Sequence, residues 1–274
     1  MTGPAVRLTW AGHATVRIDD RGSILTDPVL TPSLLHLHRR AGHAPDPSVR
    51  RVDAVVISHL HADHLHLPSL ALVDAGTPVL LPRGSAGLLA GLPLDPVEVV
   101  AGDVVQVGEA EVAVVPAAHP DRRWPWSRMR AEAVGFVMRG HGATYFAGDT
   151  DPFPGMANVA DTLDAALLPV GGWGPWLRGQ HLDPASAAAC LPVLGARVVI
   201  PIHYGTFWPR GFDSLRPRRF HEPGRQFAVE AGRRAPDVEV RVLDPGDSTE
   251  VRLLQADEER DGRQSSCQPR RDLP

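Results

Sequence analysis

The ten residues Val55-Val56-Ile57-Ser58-His59-Leu60-His61-Ala62-Asp63-His64 constrain this chain more than any other stretch. A short apolar run between Asp53 and Ser58 reads as a buried strand, and it breaks at once into four metal-competent side chains within six residues. If the backbone stays extended past Ser58, His59 and His61 point the same way and offer two imidazoles to one point. Asp63 and His64 are adjacent, so their side chains diverge and suit a second point beside the first. A pair of cations is the natural reading. A merely polar, His-rich loop is the alternative, and histidine is too uncommon a residue to favour it at the end of a buried strand.

Two cations need about four to six donors each, so more ligands must come from elsewhere. Three other apolar runs are tipped with a candidate. Val112 to Pro116 leads to His119, Ala143 to Ala147 leads to Gly148-Asp149-Thr150, and Arg197 to Ile202 leads to His203. Each is a strand delivering a ligand, as in the first motif.

The order His-x-His-x-Asp-His, then His, then Gly-Asp-Thr, then His resembles the metallo-β-lactamase fold superfamily of metal-dependent hydrolases, over about Val6 to Leu254. Further segments narrow the likeness: Thr9 to Thr15 (TWAGHAT), Leu25-Thr26-Asp27-Pro28, Gln180 to Pro184 (QHLDP) and Ile202 to Phe207 (IHYGTF). They look like the branch that includes N-acylphosphatidylethanolamine phospholipase D and, more distantly, ascorbate 6-phosphate lactonase. The implied fold is an α/β four-layer αββα sandwich, α+β by sheet type, formed by residues 1–254 as a single domain. Residues 255–274 are polar and read as a disordered tail.

The resemblance implies a first metal held by His59, His61 and His119, a second by Asp63, His64 and His203, and Asp149 between them. Imidazole and carboxylate without thiolate suit zinc, with manganese or iron as the next choices. Flavodiiron oxidoreductases of the same fold carry an acidic residue at the place of His61, so this histidine favours hydrolysis over oxygen chemistry. Asp27 is placed beneath the ligands as a carboxylate that orients an imidazole. His181 is placed at the site without being a ligand, which makes it the candidate to protonate a leaving group or hold an oxyanion. Asp63, Asp149 and His181 are thus the catalytic candidates. A water between two cations about 3.5 to 4 Å apart becomes a bridging hydroxide and the nucleophile.

Composition limits the alternatives. The chain of 274 residues can bury a full core, and its formal net charge of -4 argues against a general nucleic-acid binder. It contains no lysine, all 28 basic residues being arginine, which excludes Schiff-base chemistry and a phosphate-loop nucleotide site. Cys190 and Cys267 form no pair spacing, so neither a disulfide framework nor thiolate ligation is expected. No run approaches membrane-spanning length, and a soluble, cytoplasmic protein is the expectation.

Along the chain, Val6 to Asp27 reads as three strands and Pro28 to Arg51 as a long loop containing His36, His38 and His43. His13 sits at a strand turn and is as readily structural as functional. Leu65 to Ala75 reads as a helix with His66 on its surface; Ser85 to Ala90 reads as a short helix and Val97 to Val115 as two or three strands. Asp121 to Arg130 interleaves four arginines with Trp124 and Trp126. Guanidinium groups, Arg123 among them, suit an anionic ligand and indoles an acyl chain or ring, and the same loop permits peripheral membrane contact. Gly171 to Trp176 is an aromatic-rich loop, and with Tyr204 it supplies further substrate candidates in Trp173 and Trp176. Ala185 to Leu194 reads as a helix that Pro192 should bend or end. Arg216 to Arg234 supplies another.

These readings converge on a dinuclear metal-dependent hydrolase. The leading substrate is a phosphodiester, lipid-like or small. The alternatives are a lactonase or a carboxylic or thioester hydrolase acting on an anionic small molecule and, from a different class, a metal-loaded binding or regulatory protein without turnover.

Overall fold

Alternation along the strands sorts the side chains of the N-terminal half into two cores. Ile24, Ala54, Val56 and Leu80 face one, while Leu25, Val55, Val79 and Leu81, their chain neighbours, face the other. Only a sheet covered on both faces can use both. The computed structural model describes residues 4–124, 126–174 and 181–253.

Among the described residues there are two seven-stranded sheets and a three-stranded one. The first sheet runs, in spatial order, Ser248–Arg252, Ala5–Gly12, Thr15–Asp19, Ser23–Thr26, Ala54–Val56, Pro78–Pro82 and Asp95–Val99. Its antiparallel pairs give way to parallel ones from Ser23–Thr26 onward. The second runs Glu239–Val240, Ala196–Ile202, Leu163–Pro169, Ala143–Phe146, Val134–Arg139, Ala110–Pro116 and Val104–Val107, again antiparallel among the strands earlier in the chain and parallel among the later ones. Side chains of both sheets, among them Val6, Leu8, Trp10, Phe136, Phe146 and Leu167, share one core.

The outer layers are unequal. Pro184–Leu194 and Pro223–Arg234 contribute Ala187, Ala188, Leu191, Phe227 and Ala231 to the large core. The opposite layer is thin: the α-helix Leu67–Leu70, the 3₁₀ turn Ala86–Leu89 and the loops around them cover the outer face of the first sheet with Leu60, Leu65, Leu70, Val73 and Leu89. This is the mixed α/β sandwich of the metallo-β-lactamase fold.

Several local expectations change. The helix expected from Leu65 to Ala75 shrinks to one turn, because the chain before it is folded back by His64 and Leu65 amides donating to the His61 carbonyl. His66, expected at the surface, is buried at the head of that turn with Nδ1 2.7 Å from Ser69 Oγ. Pro192 does not end its helix. It lies near the C-terminus, and the stop is Gly195 in the left-handed conformation at φ 62°. The start is an Asp183 capping box with Ser186. The loop from Pro28 to Arg51 contains the hairpin Ser33–Leu34 and Leu37–Arg39, which pairs with Phe207–Pro209 as the third sheet. Trp176, the tail 255–274 and Cys267 lie outside the described residues. No helix among the described residues is long and apolar enough to cross a membrane.

Candidate metal centre

The candidate ligands all come from the ends of strands. His59 to His64 follow Ala54–Val56 in the first sheet; His119, Asp149 and His203 follow Ala110–Pro116, Ala143–Phe146 and Ala196–Ile202 in the second. The approach is close enough that Gly148, at φ 60°, has no room for a side chain: a Cβ there would stand 2.5 Å from that of Ser58.

Among the described residues four groups of donors have ligand atoms within 4.8 Å of one another. Two match the expected sets, His59, His61 and His119, and Asp63, His64 and His203 joined by His13; the others are Asp27 with His59 and His64, and His119 with Asp149 and His181. In the first, His61 Nδ1 lies 3.0 Å from His59 Nε2 and 3.1 Å from His119 Nε2. In the second, His64 Nε2 and His203 Nε2 are 3.0 Å apart, and Asp63 Oδ2 is 3.6 and 3.7 Å from them. Asp149 stands between the groups, with Oδ2 3.3 Å from His64 Nε2 and 4.0 Å from His119 Nε2, and Oδ1 3.3 Å from His203 Nε2.

The tautomers are fixed from behind. His203 Nδ1 faces the Gly171 carbonyl at 3.0 Å, which can only accept, and His64 Nδ1 faces the Asp27 carboxylate at 2.6 Å. Both rings therefore carry their proton on Nδ1. Their Nε2 atoms then face each other across 3.0 Å, which is favourable only with a proton or a cation between them. Asp27 reaches further. It accepts from the Ser58 amide at 2.7 Å and the Ser58 hydroxyl at 2.6 Å, and Ser58 Oγ lies 3.0 Å from His59 Nδ1. One buried carboxylate thus orients an imidazole in each group.

Electrostatics tell the same story. Burial opposes charge on His64, but Asp149, Asp63 and Asp27 outweigh it and shift its pKa well above the usual range, so this position attracts positive charge, as a proton or as a cation. Burial likewise opposes charge on Asp63 and Asp149, and the surrounding imidazoles overcome it, leaving both carboxyls well below theirs. Burial pushes His119 down to about 4, Asp149 only partly countering it. Burial lowers His59 too, helped by His64 and His119. Asp149 Oδ1 is buried and accepts no hydrogen bond, an orphan of the kind a cation satisfies. The donor set fits two divalent cations.

The other expected site residues divide. Asp27 lies beneath the ligands. His181, part-buried, has Nδ1 3.0 Å from Asp149 Oδ2 and its ring 5.0 Å from that of His119. Burial acts to lower its pKa, but Asp149 outweighs it and the shift is upward. Trp173 reaches the site differently from the substrate role expected of it: Nε1 donates to Asp63 Oδ2 at 3.1 Å, and the ring packs on the Val29, Leu34, Leu37 and Phe207 cluster. Trp124 and Trp126 stack with centroids 6.1 Å apart, and Trp126 is 79% exposed.

Two substrate candidates are corrected. The Arg123 guanidinium donates to the Leu60 carbonyl at 2.9 Å and the Leu65 carbonyl at 3.2 Å, so it clamps the ligand loop and is not a free anion receptor. Tyr204 is buried against Trp10, with ring centroids 5.3 Å apart and its hydroxyl directed at the backbone of Gly224, and it is a core residue. His13, left open by the sequence, is buried with Nε2 3.0 Å from Asp63 Oδ2. The one local signal for it was Gly12, which allows the tight turn that aims the ring inward.

Fold and donor set together define a metallohydrolase-type centre. The family profile of the beta-lactamase superfamily domain matches residues 23–204, and the chain belongs to that family. It is similar to a UPF0173 metal-dependent hydrolase of Methanosphaerula palustris, 31% identical over 252 residues that cover 90% of this chain and all of the relative. In fold it is similar to the metallo hydrolase Igni18 of Ignicoccus hospitalis, with a TM-score of 0.69 at 22% identity over 91% of this chain and all of the other. It is also similar to CmlA, a diiron beta-hydroxylase of Streptomyces venezuelae, with a TM-score of 0.64 at 19% identity over 92% of this chain and 55% of that one.

Proposed function

We propose that the protein is a dinuclear metal-dependent hydrolase whose substrate is a phosphodiester with an apolar portion. The observation that carries the metal reading is the convergence of His64 Nε2, His203 Nε2, Asp63 and Asp149 on one buried point, the two nitrogens 3.0 Å apart beside an Asp149 Oδ1 that accepts no hydrogen bond. Two divalent cations, zinc being the best match to these donors, would supply a water that deprotonates near neutral pH and would take up charge on the attacked group. The chain's own residues do the rest. His59, His61 and His119 would hold one cation, Asp63, His64 and His203 the other, and Asp149 would touch both. Asp27 locks two of the imidazoles. His181 carries a proton on the exposed side of Asp149, where it can pass to a leaving oxygen.

Two adjacent cations suit in-line displacement at phosphorus, and the exposed Trp126 with its Trp124 partner suits an apolar substituent. The commitment of Arg123 to backbone carbonyls favours a second reading. Without that guanidinium there is less call for an anionic substrate, and a lactone or other ester becomes the alternative.

The test is turnover of a chromogenic phosphodiester, an ester and a lactone by protein reconstituted with zinc, manganese or iron, with Asp149→Asn as control. Phosphodiester turnover lost in the variant supports the proposal. Lactone or ester turnover alone moves the assignment to the second reading, and a fully metallated, inert protein would make it a binding or regulatory module.

A further inference from the structure

Resting on the dinuclear reading, we propose that His13 is a positioning residue of the metal centre: with Trp173 it grips the Asp63 carboxylate that would share a cation with His64 and His203. Asp63 Oδ2 is at hydrogen-bond distance from His13 Nε2, 3.0 Å, and from Trp173 Nε1, 3.1 Å, and stands farther from His64 and His203, at 3.6 and 3.7 Å. The short contacts are with the two rings that hold it. The long ones are with the two rings that share its cation.

The backbone around His13 is built for this. His13 has φ 54° and His203 φ 63°, the left-handed region that non-glycine residues seldom occupy. Both are buried, and they are tied together: the His203 amide donates to the His13 carbonyl at 2.9 Å, and Trp10 Nε1 donates to the same oxygen at 2.9 Å. The His13 amide donates to Thr206 Oγ1 at 2.8 Å. The two rings lie 4.0 Å apart at 35°, closer than the 4.9 Å between His64 and His203. His13 thus packs its ring against that of His203 while its Nε2 faces Asp63. Strain of this sort persists where surrounding contacts over-determine it, and here those contacts link the ring that holds Asp63 to the ligand His203. Asp63 is the candidate ligand that most needs such support. Among the donors of its group it is the carboxylate, free to swing about its side-chain bonds, and it comes from a turn.

The experiment is titration of metal-free wild type, His13→Ala and His13→Gln with cobalt(II), read by visible absorption, and with zinc(II), read by calorimetry, beside apo melting temperatures. The wild type should bind two equivalents. His13→Ala should bind one of them about 10- to 100-fold more weakly, the range for removing a group that orients a ligand. His13→Gln, which keeps an N–H at a similar reach, should stay within a few-fold of wild type with an unchanged cobalt spectrum. Wild-type affinity for both equivalents in His13→Ala would make His13 a packing residue and overturn the proposal. So would a Gln variant as weak as Ala or with a shifted spectrum, which would make His13 a ligand. A wild type that binds no metal would instead sink the dinuclear reading on which this one stands. If His13→Ala fails to fold, the Gln variant decides: the proposal then stands only if His13→Gln binds like wild type with an unchanged spectrum.

Discussion

At the scale of single residues, the candidate ligands stood out in the sequence because their chemistry is rare and their spacing is local. Four metal-competent side chains in six residues leave few other readings. The residues that hold them were harder to read, since their partners are distant or are backbone atoms. His13 and Asp63 are 50 positions apart. Arg123 looked like an anion receptor because nothing in a sequence shows that its partners are the carbonyls of Leu60 and Leu65. Tyr204 sits beside a ligand in sequence and points into the core. Its burial yields a prediction: Tyr204 has its pKa pushed up to about 12 by burial, with Asp244 adding to the effect. The phenol is neutral in the folded state at a pH where the unfolded chain's tyrosine, near 10, has ionised. Stability is therefore full below about pH 10 and falls as pH rises to about 12, by up to about 2–3 kcal/mol from this group. Tyr204→Phe should flatten that decline in melts run from pH 9 to 12. For His181 the expected result is different. His181→Ala should retain both metals and lose about 10²- to 10⁴-fold in turnover. Asp149 raises the His181 pKa, and the alkaline limb that loss of the His181 proton gives the wild-type rate profile should disappear in the variant. Metal analysis that finds one equivalent missing would reassign His181 as a ligand.

At the scale of elements, the strand periods read well and the helical ones less so. Val134–Arg139 and Ala143–Phe146 form a hairpin around Gly140-His141-Gly142, and Leu163–Pro169 and Ala196–Ile202 are near-continuous apolar runs buried between neighbours. The region after His64 was read as too long a helix. The ligands claim its first residues for a turn, which no propensity reveals. Two substitutions test how elements fix the centre. Gly148→Ala must push its new Cβ into Ser58 while holding φ 60°, so a cost of more than about 2 kcal/mol is expected, together with weaker metal binding as Ser58 and Asp27 shift. Urea melts and metal titration check both. Arg123→Met should lose about 1–3 kcal/mol through the unmet carbonyls of Leu60 and Leu65, and Arg123→Lys should recover only part, since an ammonium cannot span both as the planar fork does.

At the scale of the whole molecule, each donor group draws on both sheets. His59 and His61 come from the first and His119 from the second; Asp63 and His64 come from the first and His203 from the second. Removing the metals should therefore lower the melting temperature, and the loss should grow with the logarithm of the metal concentration forgone, about 2.7 kcal/mol at 100 times the dissociation constant. Calorimetry with and without a chelator measures it. Each cation would then be a stitch across the seam of the sandwich, and a chain that opens there would first have to release it. The lifetime of the folded protein against proteases would follow the metal supply of its surroundings, so that starvation for the ion removes the catalyst by degradation as well as by inactivity.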